Sequence, residues 1–233
     1  MTPPSIAHEV LGAVFAVDTD NTPPRLSVLL WERAQDPARG TWSLPGGVLS
    51  PDEDLKSSMR RHLAEKVDLR EVAHLEQLAV FSDPHRIPGP RTLASTYLGL
   101  VRPDSLNHPD AQLPADTRWH RLDDLPPMSF DHAAIVALAR TRLAAKLSYT
   151  NIAFALAPTE FSMSTLSDVY GAALGYPVDS TNLLRILSRR GVVAATGTVG
   201  RTGRSGGRPP ALYRFAENGL RVTDEFATLR PPP

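Results

Sequence analysis

Five side chains in one short stretch, Glu53, Arg61, His62, Glu65 and Lys66, are spaced closely enough to act on one ligand, and they follow a glycine pair, Gly46 and Gly47. In a helix, positions 62, 65 and 66 stand at i, i+3 and i+4 and project from one face. Three carboxylates so placed could jointly hold hard cations that bridge a pyrophosphate. Here only Glu65 is a carboxylate. Magnesium prefers oxygen ligands in near-octahedral geometry, so one carboxylate beside an ammonium makes a poor site for it. Metal-assisted cleavage of a pyrophosphate, which would activate water and neutralise the leaving group, is expected to be badly impaired. The stretch reads as a binding site with no catalytic residue and no metal. Its two glycines let the backbone turn tightly and approach a ligand as no residue with a Cβ could.

The elements that must position these groups follow from hydrophobic patterning. Residues 8–17 form a β-branched apolar run suited to a buried strand, and the Asn, Thr and Pro of residues 18–24 break it. Residues 25–33 are a second strand, and residues 41–44, with Trp42, lead into the glycine turn. Ser50 as cap, Pro51 at the first position and Asp52 and Glu53 in the first turn predict a helix, with Leu55, Met59 and Leu63 as its core stripe. Residues 75–81, ending in Phe81, and 92–101 read as strands around a loop stiffened by three prolines and a glycine. In that loop Arg86 and Arg91 either present fixed guanidinium forks to phosphates or are ordinary solvated arginines. Residues 119–127 are a strand and turn; Ser129 or Asp131 then caps a helix through residue 146 with Ile135, Leu138 and Leu143 inward. His132, in its first turn, is structural by default, with ligand contact as the option.

Beyond residue 146 the pattern changes. Residues 162–174 and 180–190 predict two short helices, the second capped by Asp179 and stopped by Gly191, across a turn containing Gly175 and Pro177. This matches a helix-turn-helix. On the second helix Leu183, Leu184, Ile186 and Leu187 gather on one side, and Thr181, Asn182, Arg185, Ser188 and Arg189 on the other. A polar face with arginine and no acid is what a helix reading the major groove needs. Residues 192–194 and 211–215 are strand candidates around a Gly/Arg tip carrying Arg201, Arg204 and Arg208, a wing that can reach phosphates or a minor groove.

Composition sets the frame. At 233 residues and 42% hydrophobic content, two globular domains are expected. The absence of cysteine excludes disulfides, thiolate zinc sites and cysteine nucleophiles, and fits a reducing compartment. The first ten residues lack a charged n-region and an apolar h-region, and no apolar run nears spanning length, which predicts a cytoplasmic protein without a membrane partner. Net charge is zero, yet residues 1–145 hold 15 basic and 19 acidic side chains while residues 146–215 hold 8 and 3. A basic second module suggests a polyanionic partner.

The stretch from Gly47 resembles the Nudix box, G-x5-E-x7-R-E-U-x-E-E-x-G-U with U aliphatic. Gly47, Glu53, Arg61, Leu63, Glu65 and Leu69 match it, and His62, Lys66 and Asp68 replace Glu, Glu and Gly. Together with the 81–91 loop, the Leu122-Asp123-Asp124-Leu125-Pro126 segment before Phe130-Asp131-His132, and Gly206-Gly207-Arg208-Pro209 before Leu212-Tyr213-Arg214-Phe215, nearly the whole chain resembles the NrtR family, Nudix-related transcriptional regulators of NAD metabolism.

The resemblance implies an α/β Nudix-like domain, a mixed sheet sandwiched by helices, over residues 1–146, and a winged helix-turn-helix over residues 147–233. It implies a homodimeric repressor of NAD synthesis or salvage genes that binds operator DNA and senses ADP-ribose or a related nucleotide, with no cofactor required and magnesium not expected. Arg61, Glu65, Arg86 and Arg91 become pocket candidates by position, alongside Trp42, Gly46, Gly47, Phe81 and His132. Two other functions remain open: an ADP-ribose pyrophosphohydrolase using the retained Glu53 and Glu65, and a nucleotide-binding adaptor that touches protein rather than DNA.

Overall fold

The computed structural model describes residues 6–18, 23–106, 113–200 and 209–224. The chain divides into two compact units, the first drawn from Met1–Ala16, Ser27–Val101 and Ser105–Arg142, the second from Val17–Leu26, Arg102–Asp104 and Leu143–Pro233.

The first unit is built on a seven-stranded mixed sheet. Its strands are β1 (Ala7–Asp18), β2 (Arg25–Glu32), β3 (Trp42–Ser43), β4 (Gly46–Val48), β5 (His74–Phe81), β6 (Thr92–Leu100) and β7 (Thr117–Arg121). The path runs β3-β2-β1-β6-β5, with β4 pairing β1 and β7 pairing β2. β1 and β6 are parallel; β4 is antiparallel to β1 and β5 to β6. Residues Val10 to Val17 of β1 are all buried, so both faces of this strand are covered, and its unbroken apolar run reflects that. One face packs on helix α1 (Leu55–Val67), where Met59, Leu63 and Val67 meet Val10, Val14, Ala16 and Leu29. Helix α2 (Pro103–Leu106) is a single turn, and α3 (His132–Tyr149) buries Ile135, Val136, Ala139, Leu143 and Leu147. Residue 146, where a domain boundary was expected, lies inside α3.

Two local expectations are corrected. Helix α1 starts at Leu55, capped by Asp54, whose Oδ1 accepts the Ser57 N–H at 2.8 Å. Ser50 and Pro51 instead open a turn in which the Ser50 N–H donates to Glu53 Oε1 at 2.9 Å, so Glu53 precedes the helix. Leu138 faces outward at 37% exposure; the neighbouring Ala139 takes the inward position.

The second unit continues from the end of α3 through a 3-10 turn (Ile152–Ala155) to helices α4 (Met163–Leu174) and α5 (Ser180–Arg189) and strands β8 (Val193–Val199) and β9 (Ala211–Phe215). Both helices are capped as sequence chemistry dictates. Ser162 accepts from the Thr165 N–H and Asp179 from the Asn182 N–H, while Gly175 ends α4 at φ 84°, a conformation costly to any residue with a Cβ. Leu183 and Leu187 bury the inner face of α5. Antiparallel β8 and β9 gain a third partner where Phe161 exchanges both backbone hydrogen bonds with Tyr213.

Candidate functional site

The glycine turn is held by the strands around it. Leu44, just before it, has its N–H bonded to His132 Nδ1 at 3.0 Å and its C=O to Trp31 Nε1 at 3.1 Å; Pro45 C=O accepts the Gly12 N–H at 2.9 Å. Gly46 has no room for a side chain, since a Cβ would lie 2.0 Å from the Val10 carbonyl oxygen. Gly47 is required for a different reason: a Cβ there would stand 2.6 Å from His62 Cε1. His62 is buried, and its Nε2–H donates to the Val48 C=O at 3.0 Å. Burial lowers its pKa, so the ring is neutral at pH 7. At a position that would aim a carboxylate at a ligand, this chain has packed an imidazole against its own turn.

The two retained carboxylates are tied to one cation. Arg61 donates through Nε to Glu53 Oε2 at 2.9 Å and through one terminal nitrogen to Glu53 Oε1 at 2.5 Å; the other reaches Glu65 Oε2 at 3.1 Å. The guanidinium holds the Glu53 carboxyl far below the usual carboxylate range. Lys66 lies 4.8 Å from the centre of the Trp31 ring, and Arg33 lies 5.9 Å from the same ring and 5.2 Å from that of Phe130. These residues do not fit a hard divalent cation: Glu53 is already neutralised, Glu65 is shared with Arg61, and an ammonium and a buried imidazole hold the other two positions. Among the described residues no three His, Asp or Glu side chains gather as a metal site would need.

Other candidates are placed differently. Arg86 does not offer its fork outward from the 82–91 loop. Its side chain is 1% exposed, bound to both oxygens of Asp131 at 2.8 Å and to Glu9 at 2.5 Å, because a buried guanidinium must be paired. Arg91 is exposed. His132 is buried, its Nδ1 is spent on Leu44, and burial pushes its pKa down to about 4, so it belongs to the scaffold. Phe81, Ala94, Glu9 and Val48 occupy one row across β5, β6, β1 and β4, which brings Phe81 level with the turn. Trp42, on β3, is half-buried and meets His120 edge-on, ring centres 4.2 Å apart. Sequence reasoning missed Trp31, Arg33 and Phe130; the one local signal was Phe130 itself, an aromatic in a turn, which takes φ 51°.

On α5, Thr181, Asn182, Arg185, Ser188 and Arg189 are all exposed. Arg185 donates to Asn182 Oδ1 at 2.7 Å, which fixes the guanidinium on the polar face. Arg190 points elsewhere, to Asp224 at 2.5 Å and the Ser148 C=O at 3.0 Å. The wing arginines Arg201, Arg204 and Arg208 lie outside the described residues.

A glycine turn feeding a charged helix on a mixed sheet, with a capped helix pair and an antiparallel wing in the same chain, defines a Nudix domain joined to a winged helix. Residues 10–139 match the family model of the NUDIX domain and residues 153–215 that of the NrtR DNA-binding winged helix domain. The chain is 30% identical to the ADPR responsive transcriptional repressor NtrR of Acinetobacter baylyi over 217 residues, covering 91% of this chain and 83% of that one. The crystal structure of Shewanella oneidensis NrtR complexed with a 27mer DNA superposes with a TM-score of 0.76 at 30% identity, covering 89% of this chain and 92% of the other. The NUDIX domain of the same protein, complexed with ADP ribose, matches at 28% identity and a TM-score of 0.50 over 60% of this chain and 89% of that domain. The chain belongs to the NrtR family.

Proposed function

We propose that this protein is a transcriptional repressor of NAD synthesis or salvage genes that binds operator DNA in the cytoplasm as a homodimer and is controlled by ADP-ribose or a related nucleotide in its Nudix domain. The observation that carries the reading is the exposed, acid-free face of α5, with Arg185 fixed by Asn182, in one chain with a NUDIX domain whose glycine turn has no room for side chains. Arginine reads guanine through two parallel hydrogen bonds, and the neighbouring serine and threonine hydroxyls suit base edges or phosphates. The relatives, a repressor responsive to ADPR and an NrtR crystallised with DNA and with ADP ribose, support both halves. The ligand-binding residues are Gly46 and Gly47 of the turn and Arg61 and Glu65 of α1, with Phe81, Trp42 and Arg91 as further contacts. The DNA-binding residues are Thr181, Asn182, Arg185, Ser188 and Arg189, with Arg201, Arg204 and Arg208 of the wing.

The nucleotide can change DNA affinity only by binding one arrangement of the dimer better than another. Winged helices commonly read paired half-sites about one helical turn apart, which is why a dimer is expected. A mobility shift on the intergenic DNA beside the gene, titrated in parallel with NAD, ADP-ribose and AMP, tests the reading. A specific shift reversed by ADP-ribose is expected, and no retained DNA at low ionic strength rejects it.

The match of residues 10–139 to the NUDIX domain supports a second reading, an ADP-ribose pyrophosphohydrolase. Turnover on the order of 10 s⁻¹ with Mg²⁺ or Mn²⁺ would favour it over the repressor.

A further inference from the structure

Beside the box two cations stand together on one aromatic ring. Lys66 and Arg33 both lie against the Trp31 indole, and Arg33 also covers Phe130. Neither forms an ion pair with a carboxylate among the described residues; Arg33 spends Nε on the Pro37 C=O at 2.9 Å. Glu9, an acid whose charge reaches Lys66, is already bonded to Arg86, and Arg86 to Asp131. All four side chains, Trp31, Arg33, Lys66 and Phe130, are partly exposed. Burial first, then the Arg33 charge, push the Lys66 ammonium below its ordinary range, and the Glu9 charge offsets only part of that push. Phe130 is held at φ 51°, a conformation unusual for a bulky residue, and its ring lies under Arg33.

We propose that Lys66 and Arg33, steadied against Trp31 and Phe130, form a fixed dicationic seat for the diphosphate of the effector and do the work that divalent metal ions would do in a carboxylate-lined site. The inference rests on the effector reading above and adds to it that nucleotide binding is independent of metal. The charge logic is direct. A carboxylate helix face needs metal ions between itself and a diphosphate, because both are anions. With Arg61 and the Lys66 ammonium together balancing Glu53 and Glu65, and Arg33 adding a cation beside them, the face meets the diphosphate without an intermediary. Guanidinium and ammonium are both established phosphate binders, the first as a planar fork and the second as a point charge. Side-chain cations also leave no activated water beside the bond, so the ligand is held and not consumed.

Calorimetric titration of the full chain with ADP-ribose, in EDTA and in Mg²⁺, tests this. Wild type is expected to bind with the same affinity, within about twofold, in both buffers. Lys66→Met, which keeps an unbranched stem over Trp31, and Arg33→Gln should each bind at least tenfold more weakly, with thermal melting confirming that both are folded. Lys66→Glu should bind weakly in EDTA and regain affinity in Mg²⁺. A wild type that binds only with Mg²⁺, or Lys66 and Arg33 variants that bind like wild type, overturns the seat and leaves the effector reading standing. No binding of ADP-ribose in either buffer removes the effector reading, and the seat with it.

Discussion

Arg86 and Arg91 share a loop and a residue type, yet have opposite fates. Arg86 is buried between Asp131 and Glu9, and its removal strands two acids. Arg86→Ala should destabilise the protein by about 3–5 kcal/mol, the usual cost of breaking a buried pair. Arg91→Ala, at an exposed position, should stay within about 0.5 kcal/mol. Urea unfolding of the two variants decides it. His132 makes a pH prediction at the same scale. Its folded pKa, about 4, lies below the ordinary 6.5, so the unfolded state binds the proton more readily. That stability is complete above pH 6.5 and is lost as pH falls toward 4. Between pH 7 and pH 5 the loss is about 2 kcal/mol. His132→Asn keeps an acceptor for the Leu44 N–H and cannot titrate, so its urea midpoint should fall less over the same interval. Gly47→Ala should cost about 1–3 kcal/mol by driving a methyl into His62, and the cost should shrink in a Gly47→Ala, His62→Ala double variant, where the obstruction is gone.

Ser50, Pro51, Asp52 and Glu53 have the composition of a helix start, and local chemistry favours them, but the Glu53 carboxylate is engaged by Arg61 from the helix that follows. That bond keeps residues 50–53 in a turn and leaves Asp54 as cap. At the other end Asp68, where the box has glycine, takes φ 49°. Aspartate tolerates the left-handed region better than most residues, so the helix still terminates there. Asp68→Gly should gain up to about 1 kcal/mol, read as a rise in thermal midpoint. On α5, Asp179→Ala should cost about 1 kcal/mol through loss of the cap to Asn182. Arg185→Ala should weaken specific DNA binding more than non-specific binding, whereas Arg204→Ala should weaken both about equally. Equal losses from the two would move the reading helix elsewhere.

For the molecule as a whole, the DNA partner sets the measurement. A protein contacting six or more phosphates should lose on the order of 10³-fold in affinity between 50 and 200 mM salt, and a flat salt response would exclude the basic module as the contact. Much of the architecture was legible beforehand because it is written locally. Alternating and continuous apolar runs placed the long strands, Asp179 and Gly175 bounded the helix pair, and the acid-free face of α5 is readable from a helical wheel. The missing carboxylates at 62 and 66 were equally plain, since a residue's charge is a property of the sequence alone. What the sequence could not give was the partner of each charge. Glu9 and Arg86 are 77 positions apart, Leu44 and His132 are 88, and Trp31, Lys66 and Phe130 come from a strand, a helix and a turn. Whether an arginine faces a ligand or an aspartate depends on which distant segment folds against it, and only the tertiary structure makes that choice.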